Sequence, residues 1–398
     1  MCLLSEALMT LNHKSIELLK KLISFNTISY NANLELIRWV EFYLQQFGAE
    51  TRLTTSLEGN KANLFATFKA HDDNGLEGGI IFSGHTDVVP VEGQEWKTNP
   101  FELHIGNSNA YGRGTSDMKG FIAIIMSLAD RISSTKLKVP FHFALSYDEE
   151  VGCIGVRHLI KDFMQAGFKP SACIVGEPSS MQLVSGHKGQ VTYKCEIIGH
   201  EAHSSLTTQG VNAIEYASRI IAFMHQIGQE IVNSDNHDPF FDPGFNTFNT
   251  GIISGGTALN IIPNHCDFVF EYRFLPGRER LDQVERIIHY ARDVLLPEMK
   301  KVYEHADIKF TQVISIPAFK ALEDSPFMAL AKSITGENQL NAVPYGAEAG
   351  LFAENGIDSI ICGPGSIEQA HKPNEFIALD QLARCEEFIE KLIAYYTL

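Results

Sequence analysis

Apolar residues recur along much of the chain at the spacing of an amphipathic helix. Ile16, Leu19 and Ile23 would share one helical face, and Gly48 ends a second pattern of the same kind. The predicted helices cover residues 14–25, 37–47, 121–132, 154–163, 211–227, 281–296, 326–336, 346–354 and 382–396, the last with Asp380 as its cap.

Two kinds of apolar run predict strands. Residues 80–82 and 172–175 are short apolar runs, which predict strands. Residues 191–197 and 268–274 alternate with polar positions, as in antiparallel strands with one covered face. Further strands are predicted over residues 63–68, 139–146, 308–316 and 359–362.

The pattern changes near Val184 and changes back near Pro317. With 398 residues the chain is long enough for two or three domains. Residues 1–184 and 317–398 alternate strands with helices, which predicts a single discontinuous α/β domain. The alternating strands of residues 185–316 predict an α+β domain inserted into it.

Polar residues stand directly after the strand of residues 80–82. His85 and Asp87 lie two positions apart, so in an extended segment both side chains point the same way. One imidazole nitrogen could then bind a metal ion while the carboxylate holds the other nitrogen. Asp117 follows a glycine-rich turn at a predicted helix start, where an ordinary helix cap is the alternative interpretation.

Three more candidates follow later strands. Glu149 and Glu150 end the strand of residues 139–146, Glu177 follows residues 172–175, and His371 lies in the loop after the last strand. Clustered carboxylates repel one another unless a positive group lies among them, although a solvated turn would also tolerate them. Because ligands of open α/β sheets bind outside the carboxyl ends of the strands, we expect these residues to meet there.

Nitrogen and oxygen donors without thiolate are typical of zinc sites, with cobalt or manganese as substitutes. Five donors exceed the needs of one zinc ion, so a carboxylate that bridges two ions about 3.5–4 Å apart accounts for them better. A site with one zinc ion on His85, Asp117 and Glu177 is the alternative.

Charge and composition exclude several classes of protein. The formal net charge is −16 and no basic run occurs, which disfavours nucleic acid and anionic membrane surfaces as partners. No stretch approaches the ~18 apolar residues of a membrane span, and the N-terminus has no basic region of a signal peptide. The seven cysteines are scattered without a C-x-x-C pair, as free thiols in a reducing compartment are, so we expect a cytoplasmic enzyme.

Five motifs occur in order: S-G-H-T-D-V-V-P, G-R-G-T-S-D-M-K-G, D-E-E-V-G, G-E-P and A-H-K-P-N-E. Together they resemble the dizinc aminoacylase and carboxypeptidase family over nearly the whole chain, most of all its acetylornithine deacetylase branch, with succinyl-diaminopimelate desuccinylases as a related branch. The resemblance implies a zinc-peptidase-like catalytic domain and an inserted domain that acts as a lid and forms a homodimer.

The resemblance also implies a role for each candidate of the metal site. His85 and Glu177 would hold one zinc ion, Glu150 and His371 the other, and Asp117 would bridge the two.

Two neighbours of these ligands and one residue of the insert are implied to take part in the reaction. Asp87 would orient His85, and Glu149 would be the general base. In G-H-E-A-H-S-S, His203 would stabilise the tetrahedral oxyanion in a neighbouring active site, with His200 as the competing candidate.

The remaining implied residues contact the substrate. Asn260 and Arg273 would meet its α-carboxylate, although an arginine on an alternating strand is often only a surface residue. Backbone amides of the G-P-G-S segment, with Gly365 and Ser366, would bind the same carboxylate.

The implied reaction is hydrolysis of the amide of an N-acyl amino acid, N²-acetyl-L-ornithine first among the candidates. Desuccinylase, general aminoacylase and dipeptidase activities are alternatives within the family. A non-catalytic binding protein on the same fold is the alternative outside it.

Overall fold

The computed structural model describes residues 12–71, 75–277 and 282–398, which form two compact units. The first unit contains the described residues up to Ser185 together with Lys320–Asn341 and Ala347–Leu398, and the second contains Gly186–Phe319 and Ala342–Gly346. Within the described ranges, no helix has the length and apolarity needed to cross a membrane. The cysteines of these ranges are free and buried, and Cys2 lies outside them.

The main sheet has the strand order β1-β2-β6-β3-β7-β15-β8-β13, and β14 pairs with β8. A small sheet has the order β16-β5-β4. The strands are β1 (Glu50–Thr55), β2 (Ala62–Phe68), β3 (Ile80–His85), β4 (His104–Gly106), β5 (Asn109–Tyr111), β6 (Phe141–Ser146), β7 (Ala172–Pro178), β8 (Val184–His187), β13 (Phe319–Lys320), β14 (Asn341–Val343), β15 (Asp358–Gly363) and β16 (Phe376–Ala378).

Four strands of the main sheet run parallel: β3 pairs with β6 and β7, and β7 pairs with β15. Every residue of β3, β6 and β7 is buried, which explains why these strands lack polar alternation in sequence. The mixed α/β class predicted from sequence is confirmed. The four carboxyl ends lie at one edge of the sheet.

The helices of the first unit are α1 (His13–Ile23), α2 (Leu34–Gln45), α3 (Lys119–Ser127), α4 (Ala129–Ser134), α5 (Ile154–Gln165), α9 (Pro326–Thr335), α10 (Ala349–Glu354) and α11 (Leu379–Tyr395). Helix α3 is buried on all sides because it packs against α1, α11 and β3. The Ser325 side chain caps α9 by accepting a hydrogen bond from the amide of Met328 at 3.0 Å.

The second unit has an antiparallel sheet of order β10-β11-β9-β12, with β9 (Gly189–Ile198), β10 (Thr247–Gly255), β11 (His265–Phe274) and β12 (Asp307–Ile316). Its helices are α6 (Ala213–Val232), α7 (Asp282–His289) and α8 (Leu296–Lys300), with a π-helical turn over Tyr290–Leu295. Alternate residues of β11, such as Phe268, Phe270 and Tyr272, are buried in the core of the unit.

Several predicted elements differ from the structure. The single helix predicted over residues 121–132 is two helices, α3 and α4. The last helix begins at Leu379, so Asp380 lies in its first turn and is not its cap, a position where the helix dipole still favours a carboxylate. The helix predicted from residue 346 begins only at Ala349. Residue 281, the predicted start of another helix, lies outside the described residues.

Candidate metal centre

The carboxyl edge of the parallel strands carries the predicted donors. Strand β3 ends at His85, β6 leads into the turn with Glu150, Glu177 lies in the last part of β7, and the loop after β15 carries His371. Asp117 comes from the turn before α3. The structure therefore brings together the five residues that were predicted from the sequence as metal ligands.

Imidazole and carboxylate groups are in direct contact in this cluster. His85 Nε2 lies 2.9 Å from Asp117 Oδ1 and 3.8 Å from Glu177 Oε1. His371 Nε2 lies 3.0 Å from Glu150 Oε2 and 3.3 Å from Asp117 Oδ2. Asp117 thus stands between the two histidines, one carboxylate oxygen toward each.

Asp117 is not a helix cap, which was its alternative interpretation. Helix α3 begins at Lys119, and the preceding Met118 makes no capping hydrogen bond with its side chain. The turn before it depends on Gly114, whose φ of +87° is rare for other residues and whose added Cβ would lie 2.8 Å from Cγ1 of Val88.

The Asp87 side chain holds the acidic turn after β6. Its Oδ1 accepts a hydrogen bond from the amide of Glu149 at 3.1 Å, and its Oδ2 accepts bonds from the amide of Glu150 at 3.3 Å and from Ser29 Oγ at 2.9 Å. His85 Nδ1 lies 2.9 Å from the backbone oxygen of Asp87 and 3.6 Å from its carboxylate. Asp87 therefore contacts His85 mainly through its main chain.

Glu149 and Glu177 complete the acidic cluster. Donor atoms of His85, Glu149 and Glu177 lie within 4.8 Å of one another, and so do those of His85, Asp117 and Glu150. Glu177 is buried, and its Oε1 has no hydrogen-bond partner among the described residues. The thiol of Cys153 donates to Glu149 Oε1 at 3.4 Å.

Burial and like charge shift the protonation of the acids. Burial, together with the charge of Asp117, raises the pKa of Glu150 to about 7 against the opposing effect of His371. Burial raises the pKa of Glu177 and Glu149 well above the usual range, reinforced by neighbouring carboxylates. Hydrogen bonds to Asp117 and Glu150 raise the pKa of His371 to about 10.

These observations fit a metal cation. Carboxylates crowd around the buried His85 and the half-exposed His371. Neighbouring carboxylates disfavour the ionisation of Glu149, Glu150 and Glu177. A buried oxygen of Glu177, which belongs to this cluster, receives no hydrogen bond from the part of the chain that the structure describes. Oxygen and nitrogen ligands without thiolate suit a divalent ion such as zinc, and a cation would relieve the repulsion.

Two buried glutamates at this edge were missed as functional candidates. Glu348 accepts hydrogen bonds from Ser83 Oγ at 3.0 Å and from Ser146 Oγ at 2.5 Å, at the ends of β3 and β6. Its segment, G-A-E-A-G, follows no predicted strand. Glu375 lies inside A-H-K-P-N-E, and its position in that motif was the available signal.

Two predicted residues of the second unit, His203 and Asn260, lie close together. His203 Nδ1 accepts a hydrogen bond from the amide of Ser205 at 3.2 Å and lies 2.8 Å from its hydroxyl. The backbone oxygen of Asn260 accepts a hydrogen bond from the amide of Ser204 at 3.0 Å, so Asn260 and His203 lie on adjacent segments. The competing candidate, His200, stacks on a tyrosine ring with centroids 4.3 Å apart.

The other predicted substrate contacts already have partners within their own units. Arg273 donates from Nε and Nη2 to Glu271, at 3.2 and 3.1 Å. Gly365 has a φ of +86°, and an added Cβ would lie 2.4 Å from the hydroxyl of Ser116. The same hydroxyl donates to the backbone oxygen of Ser366 at 3.2 Å.

Comparison with known proteins identifies the family of this chain. Residues 81–395 match the family described as Peptidase family M20/M25/M40. Acetylornithine deacetylase of Pasteurella multocida is 32% identical over 367 residues, which cover 92% of this chain and 92% of that protein.

Two solved structures share the fold. An M20 family metallo-carboxypeptidase from Sulfolobus solfataricus superposes with a TM-score of 0.74 at 18% identity, covering 97% of this chain and 99% of that one. A dinuclear metal binding peptidase of the M20 family from Bacillus subtilis gives a TM-score of 0.60 at 16% identity, covering 96% and 98%. The chain belongs to peptidase family M20/M25/M40 and is a metal-dependent hydrolase of that family.

Proposed function

We propose that this protein is a dinuclear zinc amide hydrolase that releases acetate from N²-acetyl-L-ornithine, a step of arginine biosynthesis. The observation that carries the proposal is the placement of Asp117 between His85 and His371, with Glu150 and Glu177 beside them. The substrate rests on the relatives named acetylornithine deacetylase, which match more than nine-tenths of the chain.

The proposed ligand assignment follows the contacts. His85 and Glu177 would hold one ion, Glu150 and His371 the other, and Asp117 would contribute one oxygen to each. When bound, such a pair polarises the amide carbonyl and lowers the pKa of the attacking water. Cobalt or manganese ions would suit the same oxygen and nitrogen donors.

Glu149 is proposed to move the proton. Its carboxylate takes a proton from the attacking water and returns it to the leaving amine as the C–N bond breaks, so it acts as base and then as acid. Two contacts fix its position: its amide donates to Asp87, and its Oε1 accepts from the Cys153 thiol. Acetate and the free amine are the products.

His203 is proposed to donate a hydrogen bond to the oxyanion in a neighbouring active site. Its Nδ1 accepts from the Ser205 amide, so the ring proton of the neutral imidazole is on Nε2. The exposed Nε2–H is then a donor of the kind that stabilises a tetrahedral oxyanion. The stacked ring of His200 favours His203 over its competitor.

Arg273 and Asn260 are proposed to bind the substrate α-carboxylate, with the backbone of Gly365 and Ser366. Arg273 is paired with Glu271, so the substrate carboxylate would compete with that glutamate for the guanidinium.

We also propose that the second unit serves as a lid and as the contact of a homodimer in the cytoplasm. Its edge strand β10 exposes Ile252 and Ile253, at 62% and 54% of their surface. Exposed apolar residues on an edge strand are typical of an interface.

Initial hydrolysis rates of metal-stripped protein, before and after addition of zinc, test the proposal. The substrates are N²-acetyl-L-ornithine, N-acetyl-L-methionine and N-succinyl-diaminopimelate. We expect zinc to restore turnover, with the largest kcat/KM on N²-acetyl-L-ornithine. Restored turnover that is largest on another substrate would refute the substrate and keep the metal site. Zinc binding without turnover on any of the three would favour a binding protein.

A further inference from the structure

The carboxylate of Glu375 is an acceptor for four donors of one turn. Its Oε1 accepts hydrogen bonds from the amides of Ser116 at 2.8 Å and Asp117 at 3.1 Å. Its Oε2 accepts bonds from the amide of Gly114 at 2.9 Å and from Arg113 Nη1 at 2.8 Å. The Glu375 side chain has no solvent exposure. All of its hydrogen-bonding capacity is therefore directed at the turn that delivers Asp117.

This contact joins the segments of two proposed metal ligands. Glu375 follows His371 in A-H-K-P-N-E, and its donors belong to G-R-G-T-S-D. The main chain makes a second connection, since the amide of Gly112 donates to the backbone oxygen of Glu375 at 3.0 Å and β16 pairs with β5. The Asp117 turn and the His371 loop are thus linked at several points.

We propose that Glu375 is a positioning residue that sets the spacing of Asp117 and His371, and that both are aligned for metal binding only when its carboxylate is in place. The inference rests on the proposed metal pair. Three buried amides lose their acceptor if this carboxylate is removed, and a buried amide without a partner is unfavourable, so the turn would rearrange.

Arg113 alone does not explain the role of Glu375. The guanidinium also donates to Gln94 Oε1 at 2.7 Å and to the oxygen of Lys372 at 3.3 Å, and it lies over the Trp96 ring. It therefore keeps other partners when Glu375 is changed. The amides of Gly114, Ser116 and Asp117 are the donors that depend on this glutamate.

Zinc titration of the metal-stripped protein against a competing chelator tests the inference, with Glu375→Gln as the variant. The side-chain amide nitrogen of the introduced glutamine cannot accept the hydrogen bonds that one carboxylate oxygen of Glu375 accepts. We expect zinc affinity at one or both sites to fall ~10–100-fold, as for other groups that orient metal ligands. We also expect kcat at limiting zinc to fall and to recover with excess zinc, a rescue that a general loss of folding would not show.

Glu386→Gln is the matched control, since Glu386 is a buried glutamate on α11 whose Oε2 accepts a hydrogen bond from the backbone amide of Asn12 at 3.1 Å. It should keep wild-type zinc affinity. Unchanged zinc affinity in Glu375→Gln, or an activity loss that excess zinc does not restore, would overturn the inference. If that variant does not fold, Glu375→Asp is titrated with zinc in the same way, because it keeps the charge and is one methylene shorter. We expect its zinc affinity to fall as well, and wild-type affinity would overturn the inference. Wild-type protein that binds no zinc would instead refute the proposed function.

Discussion

Nε2 of His85 lies 2.9 Å from Oδ1 of Asp117, at the carboxyl edge of the parallel strands. The other oxygen of Asp117 lies 3.3 Å from Nε2 of His371, a residue that comes from a distant part of the chain. A carboxylate between two imidazoles, surrounded by further buried acids, is an arrangement that a pair of divalent cations would stabilise.

Zinc should therefore stabilise the folded protein. A ligand that binds only the native state at about 100 times its Kd adds about 2.7 kcal/mol to the free energy of unfolding. We expect the Tm of metal-stripped protein to rise on addition of zinc, measured by calorimetry. The variant Asp117→Asn should show a much smaller rise, because it lacks the carboxylate whose two oxygens face one histidine each. Equal rises in the two proteins would place the stabilising zinc elsewhere.

Replacement of Glu149 by glutamine should abolish proton transfer and leave the metal in place. We expect kcat to fall by ~10²–10⁴, the usual contribution of a general base, with zinc stoichiometry unchanged. Steady-state kinetics and metal analysis of the same sample check both points. Glu298→Gln, which changes a glutamate paired with Arg219 at the surface of the second unit, is a control that should keep wild-type kcat.

His203→Ala should lower kcat by ~10²–10³ if its Nε2–H stabilises the oxyanion. The matched variant His200→Ala removes a ring that stacks on Tyr303 and should mainly lower Tm. The two variants are compared by kcat and by thermal unfolding. A larger loss of kcat in His200→Ala than in His203→Ala would reverse the assignment.

The fold was predictable where the pattern was strong. The apolar runs that became β3 and β7 predicted strands of an α/β domain, and the alternation of β11 predicted an antiparallel strand with one covered face. Strand β10 was not predicted because T-F-N-T-G-I-I-S-G is exposed along most of its length and shows no alternation. The division of one predicted helix at Leu128 left no clear signal, since apolar residues continue through it.

The sequence motifs predicted the metal-ligand candidates of the site but not the contacts that hold them. His85 and His371 follow parallel strands, so their gathering at one edge follows from the sheet, whereas Asp117 reaches the same edge through the glycine-rich turn before α3. The role of Asp87 in binding the amides of the acidic turn could not be read from H-x-D, because it depends on where that turn passes in space. Glu348 was missed for the same reason, since its partners are serines of two other segments.

The stability of the first unit should depend on pH through His142. This ring is buried, lies 2.9 Å from Thr67 Oγ1 through Nδ1 and stacks on Phe65. Burial lowers its pKa to about 4, whereas an unfolded histidine has a pKa of about 6.5. The unfolded state then binds the proton more readily, so stability is complete above about pH 6.5 and falls as the pH drops to about 4.

The size of this effect is about 3 kcal/mol, from about 1.4 kcal/mol for each unit of pKa difference. The measurement is urea denaturation of wild type and of the double variant Thr67→Val/His142→Phe between pH 7 and pH 4. The double variant removes both hydrogen-bonding partners and should lose less stability across this window. Identical losses would show that His142 does not carry the dependence.

Anomalous X-ray diffraction at the zinc absorption edge, from crystals grown with zinc, tests the central claim most directly. We predict two anomalous peaks about 3.5–4 Å apart. One should be bounded by His85, Asp117 and Glu177, and the other by Asp117, Glu150 and His371. A single peak, or peaks outside this cluster, would contradict the dinuclear site.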